Sequence, residues 1–250
     1  MCRVPCGMKY SFSALSSFNT CPLAWKMHYI DRLPEEENYF AEYGTLTHSL
    51  LEDWAKGEIP DFALAEEWEE RYDQIVHHAP PPFPKGMAQK SYLLGESYFQ
   101  SFTGFGSEYD IASVEERFEV DVGGYIIVGL ADLVLRHRET GAYLVIDHKT
   151  KSPKTMRKDF DEYVKQLYIY AMYVHQRFGQ YPERMAFNLT KAPEEKFEEI
   201  FSEERLAGVK EWILTTIHRI EQEQDWLPGG SDYFCRNICG YRYDCPARVG

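Results

Sequence analysis

The chain has 250 residues, with 40 Asp or Glu against 27 Lys or Arg, for a formal net charge of −13. Its hydrophobic (44%) and charged (27%) fractions are those of a soluble globular protein and exclude wholesale disorder. No apolar run approaches the roughly 18 residues of a membrane-spanning helix, and no secretory signal is visible. We therefore expect a cytoplasmic protein with no membrane partner.

The net charge alone argues against a nucleic-acid binder, because such proteins neutralise phosphates with Lys and Arg. The charge is segregated, however. Residues 31–75 hold 14 acidic and 3 basic side chains, whereas residues 148–158 hold five basic side chains and no acidic one. The total therefore says little about any one surface.

The first hundred residues predict helices. Ser11 or Ser13 can cap the first helix, and Pro22 suits the first position of the second, where a missing N–H costs nothing. Four prolines within residues 79–85 predict a loop. The predicted helices span residues 11–20, 22–29, 43–56, 61–76 and 87–102.

The hydrophobic period changes from helical to alternating after residue 105. Gly123-Gly124 is typical of a hairpin turn. Predicted strands span residues 111–122, 125–137, 143–146 and 185–189. One predicted helix begins at Asp159 or Asp161 and ends near residue 178, and another spans residues 203–222. This order predicts one α/β domain over residues 1–250, with a small central mixed sheet flanked by helices, a helical insertion (55–105) and a C-terminal tail (231–250).

Two neighbouring strands each carry a carboxylate within an apolar run. Asp132 lies on one, and Asp147 and Lys149 lie two apart on the next, so the latter pair point to one face. A charge in such a place is costly unless it is paired or binds a metal. The arrangement suits Mg²⁺ or Mn²⁺, which prefer oxygen ligands. A strand-end aspartate in an ion pair with Lys149 is the alternative.

Two helical patterns accompany these strands. Gly44, His48 and Glu52 are each four apart and share one helix face. His48 could therefore ligate a metal, with Glu52 next to the imidazole but not itself a ligand. Gln166 and Tyr170 are one turn apart on a later helix, where Gln166 could hold Lys149 or a phosphate. An exposed histidine and a surface glutamine beside a packed tyrosine are the alternatives.

In their order and spacing, these four patterns resemble the PD-(D/E)XK nuclease superfamily, in its RecB-like and CRISPR-associated exonuclease branch. The resemblance implies a restriction-endonuclease-like core and a catalytic set formed by Asp132, Asp147, Lys149 and Gln166. It also implies that the catalytic metal is bound by His48, Asp132, Asp147 and the backbone carbonyl of His148, with Lys149 serving the attacking water. Glu116, on the preceding strand, is a candidate for a second metal.

Four cysteines form a separate pattern: Cys21, Cys235, Cys239 and Cys245. Four thiolates suit either zinc or an iron–sulfur cluster, but paired Cys-x2-Cys spacings, which favour zinc, are absent. Cys21-Pro22 followed by a C-terminal triplet is similar to the iron–sulfur members of the RecB-like branch, although three residues separate Cys235 from Cys239 where two are commoner. The resemblance implies a structural 4Fe-4S cluster, and Cys2 and Cys6 are read as incidental.

The basic segment after the Asp-x-Lys strand is predicted to contact DNA phosphates. A solvated basic loop is the alternative reading, and no base-reading motif is present. The predicted DNA-binding residues are Lys151, Lys154, Arg157, Lys158 and Tyr170.

The sequence therefore predicts an Mg²⁺- or Mn²⁺-dependent deoxyribonuclease, with exonuclease action on single strands or strand ends expected. Recombination, replication or CRISPR-adaptation proteins are candidate partners. A non-catalytic DNA-binding or scaffold subunit is the alternative function. Cleavage polarity, strand preference and oligomeric state stay open at this point.

Overall fold

A computed structural model describes residues 7–247 of the chain. Its elements, in chain order, are α1 (Phe12–Thr20), α2 (Pro22–Tyr29), α3 (Tyr39–Ala55), a short 3-10 helix (Asp61–Ala63), α4 (Leu64–Ile75), α5 (Met87–Ser101), β1 (Tyr109–Val122), β2 (Tyr125–His137), β3 (Tyr143–Lys149), α6 (Pro153–Phe178), β4 (Arg184–Leu189), β5 (Phe197–Ile200), α7 (Glu203–Gln222) and α8 (Asp232–Asn237).

The five strands form one mixed sheet in the order β1-β2-β3-β4-β5. β2 and β3 are antiparallel, β3 and β4 are parallel, and β4 and β5 are antiparallel. A parallel pair needs a crossover connection, which α6 supplies between β3 and β4. The predicted α/β class with a small mixed sheet and flanking helices is confirmed.

The chain divides into two compact units, and the first comprises residues 1–38, 119–129 and 203–250. In the described part of this unit, α1 and α2 join at Cys21, which ends the one helix and caps the other. The rings of Trp25 and Trp226 stack with centroids 5.5 Å apart, and Phe18 packs edge-on against both. These three aromatic side chains are fully or almost fully buried.

The second unit comprises residues 39–118 and 130–202 and contains the predicted metal-binding strands. The predicted insertion contains α4 and α5, which pack against α3 around the fully buried ring of Trp68. A Cβ on Gly95 would lie 2.3 Å from that ring, so only glycine allows α5 to approach Trp68 this closely. α4 and α5 thus complete a core around the helix that carries His48.

The structure moves two predicted boundaries near the site. β3 extends three residues beyond the predicted end, through Lys149. α6 begins at Pro153, with the Ser152 hydroxyl accepting from Thr155 N as the N-cap, and only a kink at Asp159 marks the predicted start. The predicted helix start at Asp159 or Asp161 is therefore wrong, and residues 153–158 are helical, because a capping serine followed by proline starts the helix earlier.

β5 was not predicted from the sequence. It is four residues long and contains two glutamates, so it has no apolar run to signal it. It adds an antiparallel edge strand beside β4. Within residues 7–247, no helix is long and apolar enough to cross a membrane.

Candidate metal centre

Asp132 and Asp147 lie side by side near the end of the β2–β3 ladder. Leu133 pairs with Ile146 in the register, which places Asp132 opposite Asp147 on the same face. Asp132 is 7% exposed and Asp147 is 1% exposed. The sheet therefore holds two adjacent carboxylates out of water, as the sequence pattern predicts.

The two carboxylates differ in their partners. Asp132 Oδ2 accepts a hydrogen bond of 2.8 Å from the backbone N–H of His148. Asp147 Oδ1 is buried without a partner among the described residues, and Asp147 Oδ2 forms an ion pair with Lys149 Nζ at 2.6 Å. Buried carboxylate oxygens that lack donors are costly unless a cation satisfies them. The donor set therefore fits a divalent cation.

The electrostatics of the pair point the same way. Burial, reinforced by the charge of Asp147, raises the pKa of Asp132 to about 7. Two carboxylates this close resist carrying both charges. A bound cation removes that repulsion, so metal binding and ionisation of Asp132 favour each other.

His48 brings an imidazole to the same carboxylates from α3. Its Nδ1 lies 3.6 Å from Asp132 Oδ2 and 3.9 Å from Glu115 Oε1. Its Nε2 lies 3.1 Å from the carbonyl oxygen of His148, a hydrogen bond that leaves Nδ1 to face the carboxylates. Burial alone lowers the pKa of His48, but Glu115, Asp132 and Asp147 outweigh it and the net direction is upward.

Glu115 belongs to this group, and sequence reasoning missed it. One ligand atom each from His48, Glu115 and Asp132 lies within 4.8 Å of the others, the one such trio that the described residues form. Glu115 has a φ of 44°, in the left-handed region, so the local backbone departs from regular strand geometry. No period-two pattern could reveal a residue placed by such a departure.

Glu116, the sequence-predicted candidate for a second metal, has other partners. Its Oε2 accepts from the Ser113 hydroxyl at 3.0 Å and its Oε1 accepts from Arg177 Nε at 3.1 Å. Desolvation opposes ionisation here, but hydrogen bonds from Tyr173, Ser113 and Arg177 lower the pKa of Glu116 overall. The structure thus brings Glu115, and not Glu116, to the His48 group.

Lys149 is held by a chain of side chains from α6. Its Nζ donates to Gln166 Oε1 at 2.9 Å, and Gln166 Nε2 donates to the Tyr170 hydroxyl at 2.7 Å. Tyr170 is 4% exposed. This placement suits support of Gln166 better than contact with DNA, and it fixes the ammonium beside Asp147.

The remaining predicted polar residues lie around this centre in varied settings. Glu52 pairs with Lys56, which follows the last residue of α3. Lys151 Nζ lies 5.1 Å from the ring centroid of Tyr163, and burial lowers the pKa of Lys151. The other three basic residues, all exposed, lie on the first turns of α6: Lys154, Arg157, which pairs with Glu195, and Lys158, which lies 3.8 Å from Asp159.

The four predicted cysteines line one cavity of about 480 Å³ in the first unit. All four are free thiols: Cys21, Cys235, Cys239 and Cys245. Cys21 Sγ accepts from the backbone N–H groups of Ala24 (3.4 Å) and Gly229 (3.3 Å). Cys2 and Cys6 lie outside the described residues.

Burial and the neighbouring thiols raise the pKa values of Cys235 and Cys239. Cys21 and Cys245 help to raise the pKa of Cys235, and Cys21, Cys235 and Cys245 help to raise the pKa of Cys239. The cavity that they line is closed by Met27 and Tyr241 from the small apolar cluster beside it.

Comparison with known proteins identifies the family. A profile of the PD-(D/E)XK nuclease superfamily matches residues 9–246, so the chain belongs to that superfamily. Its mixed sheet flanked by helices is the restriction-endonuclease-like fold expected from the sequence. No curated protein matches the chain.

Two solved structures are distant likenesses. One is SSO0001, with 18% identity, coverage of 97% of this chain and 88% of that one, and a TM-score of 0.37. The other is named "Putative exonuclease" from Eubacterium rectale, with 13% identity, coverage of 97% and 91%, and a TM-score of 0.49. Membership of the superfamily supports a hydrolytic nuclease.

Proposed function

We propose that the protein is an Mg²⁺- or Mn²⁺-dependent deoxyribonuclease. The observation that carries the proposal is the buried pair Asp132 and Asp147, in which Asp147 Oδ1 has no partner within residues 7–247 and Asp147 Oδ2 is paired with Lys149. His48 and Glu115 complete an oxygen-and-imidazole donor set of the kind that hard divalent cations accept. A scaffold protein has no need of such a costly arrangement.

The side chains divide the work of phosphodiester hydrolysis between them. His48, Glu115, Asp132 and Asp147 would hold a divalent cation, which when bound would supply a Lewis acid and lower the pKa of water. Lys149, fixed by Gln166, orients the attacking water and donates to the negative charge that develops on the phosphate. The water oxygen forms a bond to phosphorus as the opposite P–O bond breaks, the attacking water loses a proton to solvent, and the leaving oxygen takes up a proton from solvent.

We infer that the substrate is DNA and that cleavage begins at strand ends. Lys151, Lys154, Arg157 and Lys158 follow the Asp-x-Lys strand and place positive charge beside the centre, in a protein whose net charge is −13. Such a narrow basic region favours engagement of one strand over broad wrapping of a duplex. Recombination, replication or CRISPR-adaptation proteins are the partners that this activity suits.

The test uses linear and closed-circular DNA, single- and double-stranded, in Mg²⁺ or Mn²⁺. We expect degradation of linear strands from an end, with closed circles resistant and a chelator abolishing all cleavage. Cleavage of closed circles at a comparable rate would mean that the activity is that of an endonuclease and not of an exonuclease. A folded protein that binds DNA but cleaves none of the four substrates would favour the scaffold alternative.

We also propose that Cys21, Cys235, Cys239 and Cys245 hold a 4Fe-4S cluster. Tetrahedral zinc with Zn–S bonds of about 2.3 Å requires its sulfurs about 3.8 Å apart. The one trio of ligand atoms within 4.8 Å among the described residues is at His48, so these sulfurs are spread more widely than zinc needs. Two backbone N–H groups aimed at Cys21 Sγ are typical partners of cluster sulfurs.

The role of the cluster is structural, since it ties the α1–α2 junction to the C-terminal segment within the first unit. Anaerobic purification should yield a brown protein with a broad visible absorbance and about four irons per chain. Cys239→Ser should lose the colour, whereas Cys6→Ser, outside the predicted set, should keep it. A colourless wild type with one zinc per chain would overturn the cluster.

A further inference from the structure

Lys191 follows β4 at the same edge of the sheet as the metal centre. β4 is parallel to β3, with Leu189 paired to Lys149, and the Thr190 N–H donates to the Lys149 carbonyl at 3.1 Å. The chain therefore leaves the sheet at Lys191, beside the end of the Asp-x-Lys strand. Lys191 and the whole metal centre belong to the second unit.

The Lys191 ammonium is held in place by an aromatic ring. Its Nζ lies 4.0 Å from the ring centroid of Tyr43, close enough for a cation–π contact. Tyr43 is 1% exposed, and its hydroxyl donates to the Ser91 carbonyl at 2.9 Å, so the ring is fixed. Tyr43 precedes His48 by five residues on α3, a rise of about 8 Å along the helix axis.

This lysine has no anionic partner in the described chain. No carboxylate there lies within 4.0 Å of its ammonium, whereas Lys149 has Asp147 and Arg157 has Glu195. Burial lowers the pKa of Lys191 to about 8, and no neighbouring charge offsets that effect. Holding a half-buried cation without an anion is costly, which points to an anion supplied from outside.

We propose that Lys191 is a DNA-positioning residue that binds a backbone phosphate of the strand held at the metal centre. This inference rests on the proposed nuclease function. Because Leu189 pairs with Lys149 and Thr190 N–H donates to the Lys149 carbonyl, Lys191 lies at the same sheet edge as the proposed scissile phosphate. An ammonium on a rigid ring acts as a point charge that suits a phosphate oxygen.

Lys191 complements Lys151, which the sequence already marks as a DNA contact. Lys151 follows β3 and lies over Tyr163 of α6, whereas Lys191 follows β4 and lies over Tyr43 of α3. Two cations on aromatic rings thus flank the ends of the two central parallel strands. A DNA strand crossing this edge would meet one of them on each side of the scissile phosphate.

The experiment compares Lys191→Met, Lys191→Arg and Lys90→Met, since Lys90 is an exposed lysine on α5. Binding of a labelled single strand is measured in Ca²⁺ over a range of salt concentrations, together with kcat and KM in Mg²⁺. Lys191→Met should weaken binding about 5- to 20-fold, reduce the salt slope by about 0.7 and raise KM more than it lowers kcat. Lys191→Arg should restore most of the binding, which a purely structural role would not predict.

The outcomes separate this inference from the nuclease proposal. Equal binding and equal salt slopes in Lys191→Met and Lys90→Met, each with a melting temperature near wild type, would overturn the role of Lys191. A wild type that binds no DNA would overturn it as well. If the wild type binds DNA and Lys191→Met weakens that binding but no cleavage occurs, the phosphate contact stands and the nuclease proposal fails.

Discussion

Replacing Asp132 with asparagine should stabilise the metal-free protein while destroying its function. The side chain is 7% exposed, and burial together with the charge of Asp147 raises its pKa from an ordinary 3.8 to about 7. Asparagine cannot ionise, yet its side-chain oxygen can still accept the hydrogen bond from His148 N. The substitution therefore removes a destabilising charge and keeps the local bond.

The size of the effect follows from linkage. One pKa unit corresponds to about 1.4 kcal/mol, so ionised Asp132 destabilises the metal-free fold by up to about 4 kcal/mol at pH 8. Because the folded pKa lies above the unfolded one, this penalty shrinks as the pH falls below 7 and is gone below about pH 4. Loss of the favourable contact with His48 reduces the gain, so about 1–4 kcal/mol is expected at pH 8.

The assay is urea unfolding at pH 8, 5.5 and 4 without divalent cations, repeated with Mn²⁺. Asp132→Asn should gain stability most at pH 8, and Mn²⁺ should stabilise the wild type but not the variant. Asp73→Asn, on the exposed face of α4, should stay within about 0.5 kcal/mol of wild type throughout. If Asp132→Asn were less stable than wild type at pH 8, the argument that ionised Asp132 destabilises the metal-free fold would be refuted.

Further predictions test the neighbouring residues. Lys149→Met should lower kcat about 100- to 10,000-fold while Mn²⁺ still raises the melting temperature; loss of that rise would make the lysine a support for the metal site instead. Glu115→Gln should weaken Mn²⁺ binding in calorimetry at least about tenfold and Glu116→Gln less than about twofold, and the reverse order would restore the sequence-based choice. Gly95→Ala would place a Cβ 2.3 Å from a tryptophan ring, so it should destabilise the protein by about 1–3 kcal/mol in chemical unfolding. Gly208→Ala in α7 has open space around it and should be neutral or stabilising. Equal effects of the two substitutions would contradict the packing of α5 against Trp68.

Local chemistry made much of the fold predictable. Ser11 and Pro22 mark the starts of α1 and α2 as expected, because capping and proline preferences act within a few residues. The Gly123-Gly124 turn likewise has positive φ at both residues and joins β1 to β2. α6 shows the limit, since Ser152 and Pro153 carry a start signal that the basic composition of the segment obscured.

The site was predictable where it rests on strand alternation and helical spacing. Asp132, Asp147 and Lys149 lie together because their register follows from the hairpin, and Gln166 reaches Lys149 from the expected helix. Their catalytic and metal-binding roles stay predictions. Glu115 was out of reach because its backbone departs from strand geometry, and so its face cannot be read from the sequence.

Lys191 was out of reach for a different reason. Its setting depends on Tyr43, almost 150 residues earlier in the chain, and on the parallel register of β3 and β4. Contacts that arise only from tertiary packing leave no periodic signal in the sequence. The aromatic ring and the lysine therefore look like unrelated surface residues until the fold brings them together.

The most direct test of the metal-dependent nuclease site is single-turnover cleavage of an end-labelled DNA strand by wild type and Asp147→Asn. Asp147 Oδ1 is buried without a partner in the described chain and Oδ2 is paired with Lys149, so an amide there keeps the shape and removes the charge that a cation needs. We predict Mg²⁺- or Mn²⁺-dependent cleavage by the wild type and a rate at least about 1,000-fold lower for Asp147→Asn, with the fold and DNA binding retained. Cleavage by Asp147→Asn at the wild-type rate, or by the wild type in excess chelator, would contradict the account.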